Sequence, residues 1–549
     1  MKGIFLLLFF IGSISGYAQE TKKYIPDISG VVTKKNPLSD KEMENWSHKD
    51  IIDDSIPGIS LEKAYRELLP GKKGQEVIVA VLDTKLDIHH EDLKRQLWVN
   101  TDEIPGNGID DDKNGYIDDI YGWDFLSNSK GEYIKYEHYE MVRIIKKYDT
   151  FFRGKSEKDI APENVAKYTL YTKTKMSYEN WVENVKAYLK RLDYRIATYP
   201  KAKATLKRFF PDENYSIAQL DSLSKKHQND SLIYAHAMFM MDAIKYKRTP
   251  ENSKRYKDRY THVLKTSLNL DFDERAIISD DPEDISDAYY GYNQVWGDVP
   301  FQHATMVAGI LGATRSNHLG VMGFSDRIRI MPVVMVATGD EHDKDVAIAI
   351  RYAVDNGAKV INMSWGKDFS MHEDWVLDAI KYAAEKDVVL VTGSGNSATN
   401  IDIQKTYPND YIGDKEIADN FIMVGASDYK ADKNLIAYFS SYGKRHVDIF
   451  APGDDIYTTA HGNTYEFGGG TSASAPMVSG IAALLRSYYP KLSAAEVKNI
   501  ILESGVSYNI NVNVPGTNGK EQKLFSEFSK SGKIVNAYNA LLMAGKMAK

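Results

Sequence analysis

The chain has 549 residues, enough for two to four domains, and its 43% hydrophobic content allows a large core. Its formal net charge of −7 argues against nucleic acid as a partner. It contains no cysteine, which excludes a disulfide framework, a lipid-anchored thiol and a cysteine nucleophile.

Residues 1–18, MKGIFLLLFFIGSISGYA, combine Lys2, an apolar stretch and small residues at Gly16 and Ala18. This is the pattern of a cleaved secretory signal, so an exported protein is expected, whether periplasmic, surface-bound or extracellular. No other run reaches transmembrane length, and no membrane span is expected. Residues 19–54 are polar, contain Pro26 and Pro37, and read as an arm. ISLEKAYRELL at 59–69 has apolar residues at helical spacing and is stopped by Pro70-Gly71. The continuous apolar run Val77 to Leu82 reads as a strand buried on both faces of a parallel sheet. Asp83 at its C-terminal end is then on the edge where open α/β sheets carry their sites.

The next segment, NGIDDDKNGYIDDIYGWDF, has Asp110, Asp112 and Asn114 at alternate positions, Gly115 sixth, a carbonyl at Tyr116 and Asp118 ninth. That is the opening of an EF-type calcium loop. Tyr121 stands where a bidentate Glu is expected, and Asp119 is the substitute oxygen. The segment reads either as a structural Ca²⁺ loop, favoured by so many like charges in one place, or as an Asp/Asn-rich turn without metal; no cofactor is expected beyond that ion.

Residues 127–298 are rich in Lys and Tyr. Val182, Val185, Leu189, Leu192 and Ile196 define an amphipathic helix, Ser216 to Gln219 fits a capping box, and 232–246 reads as a core helix. The segment is expected to be a helical insertion, with His236 a packed or rim histidine. From residue 305 apolar strands (MPVVMV, AKVINMSW, VVLVTGSG, FIMVGAS, VDIFAPG) alternate with helices, which predicts a doubly wound three-layer α/β/α fold. Residues 511–549 read as a helical extension.

Three motifs join Asp83. His303 opens HATMVAGILGA, Asn396 closes the Gly-rich turn of VVLVTGSGN, and Ser472 lies in GGGTSASAPMVSGIAALL, ahead of an apolar helix. A Ser at a helix N-terminus sits beside unpaired N–H groups that stabilise a neighbouring oxyanion. Asp, His, Asn and Ser in this order provide an orienting carboxylate, a general base, an oxyanion donor and a nucleophile.

The order and the local contexts (VAVLDT, HATMVAG, INMSWG, GSGN, GTSASAP and FSSYGKRHVDIFAPG) resemble the subtilisin-like serine peptidases, or subtilases, over residues 55 to 510 apart from the insertion. The resemblance implies a catalytic domain at 55–126 and 299–510 and a secreted serine endopeptidase acting on peptides or proteins, expected to be a monomer. It assigns Ser364, Trp365 and Gly366 to one wall of the substrate cleft and Gly393, Ser394 and Gly395 to the other. This chain departs from the family pattern at Lys85, Ala304, Met306 and Ala473-Ser474; Lys85 is expected to bring a cation close to Asp83. The separation of Asp83 from His303, 220 residues, exceeds the family's usual few dozen because of the insertion. A catalytically impaired subtilase fold that binds peptides or partners is the alternative. An α/β-hydrolase is disfavoured, since its Ser comes first in the chain.

Overall fold

The computed structural model describes residues 34, 36–278, 280–297 and 303–548. The signal-like segment 1–18 and the expected boundary at 298/299 lie outside them. The chain forms two compact units, one of 1–135 with 275–549 and one of 136–274.

The larger unit is built on helix α1 (Leu61–Glu67), strand β1 (Val77–Asp83) and the short strand β2 (Trp123–Asp124). The insertion carries helices α2 (Glu140–Phe152), α3 (Val165–Leu206), α4 (Ile217–Lys226), α5 (Ser231–Lys245) and α6 (Pro250–Lys265). The chain then returns through α7 (His303–Gly312), β3 (Ile328–Val334), α8 (Asp343–Asp355), β4 (Val360–Met363), α9 (Glu373–Glu385), β5 (Val389–Gly393), β6 (Phe421–Ser427) and β7 (Ile449–Pro452). A hairpin, β8 (Ile456–Ala460) and β9 (Thr464–Gly468), leads into α10 (Thr471–Tyr488). The chain ends with α11 (Ala494–Ser504), β10 (Val506–Ser507), β11 (Lys533–Ile534) and α12 (Ala537–Met547).

Nine strands form the central sheet in the order β10-β11-β7-β6-β5-β4-β1-β3-β2, parallel throughout except for the β10–β11 pair. The apolar runs become strands because both faces are covered. Val77, Val79 and Val81 pack with α1, α7, α10, α11 and α12, while Ala80 and Leu82 pack with α8 and α9. The fold is thus the three-layer α/β/α arrangement. β1 has β3 on one side and β4 on the other, so the strand order reverses at β1. A crevice opens beyond the C-terminal ends of strands at such a point, and Asp83 ends β1 there.

Two expectations at the chain ends are corrected. The described part of the 19–54 arm is docked on the larger unit: Trp46 is 1% exposed and its indole N–H donates to the Asp455 carbonyl at 3.0 Å. Ile51 and Ile56 are also buried. Trp46 opens a single 3₁₀ turn at 46–48 and Ile51 and Ile56 lie in turns, so no periodicity betrays them. The 511–549 extension is also more than helical. Residues 511–513 pair with 522–524, β11 enters the central sheet between β10 and β7, and Phe525 and Phe528 join the core, before α12.

Within the insertion unit the expected elements form. The amphipathic stretch lies inside the 42-residue α3, Ser216 and Gln219 close a capping box on α4, and Asp230 caps α5. Ala202, Leu206, Leu220, Ile233, Ala237 and Met240 make its core, and His236 bonds to the Thr205 hydroxyl at 2.9 Å, a packing role. The flanks 127–135 and 275–297 belong to the larger unit. Buried Arg275 clamps the returning chain there, bonding to both carboxylate oxygens of Asp345 at 2.8 and 3.0 Å and to Asp280 at 2.7 and 2.8 Å. Lys344 adds a second cation on Asp280 at 3.0 Å.

Trp46→Ala should lower the unfolding free energy by about 3–5 kcal/mol, as truncation of a large buried aromatic does. Urea denaturation measures this; an unchanged midpoint would show that the arm is not part of the fold.

Candidate active site

Asp83 is wholly buried, and its carboxylate accepts the Thr84 amide at 2.7 Å. His303 is the first residue of α7, and its Nδ1 lies 2.8 and 3.0 Å from the two Asp83 oxygens. Thr84 ties the two elements together, since its hydroxyl accepts the Ala304 amide at 3.0 Å. Burial pushes the His303 ring toward its neutral form. The charge and hydrogen bond of Asp83 outweigh that, leaving its pKa above the ordinary histidine value.

Ser472 is the second residue of α10. The preceding Gly470, at φ +118°, turns the chain sharply into the helix, a conformation open to glycine. A Cβ on Gly393 would come within 2.7 Å of the Thr471 hydroxyl, so the end of β5 must be glycine for α10 to seat. Asn396 caps that helix: its Oδ1 accepts the Thr471 N–H at 2.8 Å, which fixes the amide orientation and leaves Nδ2 on the other side. The Ser472 hydroxyl donates to the Ser364 carbonyl at 2.9 Å.

Trp365 is half-buried, with its N–H on the Leu82 carbonyl at 2.8 Å, and Gly366 is exposed. Opposite, Gly395 is half-buried and Asn396 exposed. Ser394 is 1% exposed and its hydroxyl donates to the Ser441 carbonyl at 2.9 Å, so at this wall position it is the backbone rather than the side chain that faces the cleft edge. Gly393 and Ser364 are also buried.

Lys85 does not act on Asp83 as expected. Its ammonium pairs with Asp124 at 3.1 Å and lies over the Tyr133 ring, 4.6 Å from its centre. Asp83 and Asp124 are both in register with Val334 of the intervening β3, so Lys85 leans away from the His303 pair along the sheet edge.

The acidic loop also gathers differently. Glu103, Asp112 and Asp119 each offer an oxygen, all within 4.8 Å of one another. Asp110 caps the amides of Asn114 and Gly115 at 3.0 and 2.9 Å, and Asp118 those of Gly106 and Gly108 at 2.7 and 2.8 Å. Asn114 Nδ2 donates to Asp112 and Asp119, both at 3.1 Å. The Tyr116 ring packs between Trp123 and Tyr352. Of the five residues expected to bind metal, Asp112 alone has its carboxylate in the converging group. Burial pushes the Asp119 carboxyl up to about 6. The sequence reading missed Glu103, which lies outside the loop template, and Asn362, whose only signal is a polar residue inside the apolar run VINM.

The Subtilase family model matches residues 74–529. The chain belongs to the subtilase family. A thermophilic serine proteinase from Bacillus sp. is 39% identical over 186 residues, covering 34% of this chain and 42% of that protein. Subtilisin DY from Bacillus licheniformis is 36% identical over 204 residues, covering 36% and 68%. A protease structure from Pseudoalteromonas arctica aligns at 24% identity and a TM-score of 0.37 over 44% of this chain and 71% of its own.

Lys85→Ala removes the cation from buried Asp124, which keeps only the Leu126 amide and the Ser127 hydroxyl, and should destabilise the subtilase by about 3–5 kcal/mol. Denaturant unfolding of the variant tests this; a loss below 1 kcal/mol would mean that the pair is not buried as described.

Proposed function

We propose that this subtilase is an exported serine endopeptidase that cleaves peptides or proteins through Asp83, His303 and Ser472. The observation that carries the reading is the buried 2.8 Å contact between Asp83 and His303 Nδ1. It holds the imidazole as the Nδ1–H tautomer, with Nε2 the basic nitrogen, and favours the imidazolium once formed.

Ser472 Oγ turns from the Ser364 carbonyl to His303, gives up its proton to Nε2 and adds to the scissile carbonyl carbon. The carbonyl electron pair moves to oxygen. Asn396 Nδ2 and the Ser472 N–H hold that oxyanion. The neighbouring first-turn amides are already engaged, Thr471 N–H with Asn396 and Ala473 N–H with Gly470. As the oxyanion collapses, the C–N bond breaks and the imidazolium protonates the leaving amine. Water, deprotonated by His303, then cleaves the acyl ester by the same route. Extended substrate pairs with the segments at Trp365-Gly366 and Gly395-Asn396, so peptide backbone supplies much of the binding.

Support for export comes from residues 1–18 and from a cell wall-associated protease of Bacillus subtilis among the relatives. Among the described residues no helix is long and apolar enough to cross a membrane.

The acidic group fits a hard divalent cation. It offers three carboxylates, two of them buried, and among the described residues no Lys, Arg or His pairs with them. Glu103, Asp112 and Asp119 would hold Ca²⁺, which would neutralise their charge and lock the loop without entering the chemistry.

Ser472→Ala should lower kcat about 10⁶-fold and Asn396→Ala about 10²–10³-fold, the magnitudes known for subtilisin itself. Peptide turnover near wild type in Ser472→Ala would contradict the reading. kcat/KM should rise with pH through the elevated His303 pKa, because only the neutral ring accepts the proton. Asp83→Asn should shift that limb to lower pH and cost about 10⁴-fold in kcat; an unmoved limb would mean that Asp83 does not set it. Calcium should raise the melting temperature, with about 2.7 kcal/mol gained at 100 times Kd, and Glu103→Gln should abolish the rise. Identical melting with chelator and with millimolar calcium would reject the site.

A further inference from the structure

Behind Ser472 lies a polar chain that the chemistry above does not use. In a regular helix the Ser472 carbonyl would accept the N–H of the residue four positions on. That residue is Pro476, which has no N–H and whose ring crowds the same carbonyl. The missing donor comes from β4's end, where the Ser364 hydroxyl donates to the Ser472 carbonyl at 3.0 Å.

The direction of that bond is set further back. Asn362 Nδ2 donates to Ser364 Oγ at 2.8 Å, so the hydroxyl proton is left to point at Ser472. The Ser472 carbonyl can only accept, so the Ser364 hydroxyl must donate to it and Nδ2 is the end of the amide that faces Ser364, while Oδ1 accepts the Ser479 hydroxyl, two turns along α10, at 2.9 Å. Asn362 and Ser479 are fully buried and Ser364 is 3% exposed. A polar amide in the middle of a parallel sheet is costly unless every group is paired, and here both ends are.

We propose that Asn362 is a positioning residue for the nucleophile. By polarising the direction of the Ser364 hydroxyl, it supplies the Ser472 peptide with the hydrogen bond that Pro476 cannot give. Strand and helix are thereby stapled at the reacting residue, while the Ser364 carbonyl holds the Ser472 hydroxyl at rest. The inference rests on Ser472 being the nucleophile.

The test measures kcat, KM and the rate of inactivation by a fluorophosphonate in the full chain. Asn362→Asp keeps the shape but offers only acceptors, so both serine hydroxyls turn toward it and the Ser472 carbonyl loses its donor. kcat and the inactivation rate should fall about 10- to 100-fold, the scale of a small misplacement of a reacting group, with KM changed less than about twofold. Adding Pro476→Ala restores an N–H at the helical position and should recover most of the loss. A merely structural role would lower stability without that recovery.

An Asn362→Asp variant that reacts at the wild-type rate, or a double variant no faster than the single one, overturns the proposal. If Asn362→Asp does not fold, Ser364→Ala, which removes the donor itself, is judged by the same two criteria. A wild-type chain that does not react with the probe would instead refute Ser472 as the nucleophile.

Discussion

The site depends on how closely the first turn of α10 seats on the C-terminal edge of the sheet. The groups proposed to act on the peptide bond converge on that edge: β1 ends in Asp83, β4 runs into Ser364, β5 runs into Asn396, and α10 brings Ser472. The approach is possible because Gly393 has no side chain to strike Thr471 and because Gly470 takes a positive φ. Asn396 then satisfies one orphan amide of the helix and leaves another, that of Ser472, at the positive end of the helix dipole. A helix packed even slightly further out would lose the Asn396 cap, the proposed oxyanion donor and the Ser472–Ser364 bond together.

Charge is handled by pairing at each buried point near this edge. Asp83 is committed to His303, Lys85 to Asp124, and Arg275 with Lys344 to Asp280 and Asp345. Each pair is expensive to desolvate and more expensive to break. Their separation matters for the proposed mechanism: a cation on Asp83 would compete with the imidazolium that this mechanism asks the carboxylate to stabilise. Lys85 is two residues from Asp83 in sequence yet is drawn off by Asp124 and the Tyr133 face, so the departure at this position leaves the Asp83–His303 pair undisturbed.

The alternating apolar runs made the parallel sheet legible in the sequence, because a strand buried on both faces must be continuously apolar. The four motifs around Asp83, His303, Asn396 and Ser472 were legible because each ends a strand or starts a helix. What escaped was whatever depends on distant partners. Trp46 and Phe525 are buried by neighbours far along the chain and sit in segments without period. The partner of Lys85 is Asp124, beyond an intervening loop, and nothing local points to it. The acidic loop was matched to a contiguous template, whereas the converging group borrows Glu103 from upstream. Asn362 offers no signal beyond a polar residue inside the apolar run VINM, and its meaning emerges only when Pro476 is seen to leave the Ser472 carbonyl without a donor.

The central claim is that the fold activates one serine among many. Intact mass and peptide mapping of the chain after exposure to a fluorophosphonate test this most directly. The account predicts one adduct per chain, on Ser472, formed by the folded protein and not by protein unfolded beforehand. No adduct on the folded protein, or adducts spread equally over Ser364, Ser474 and other serines, would contradict it.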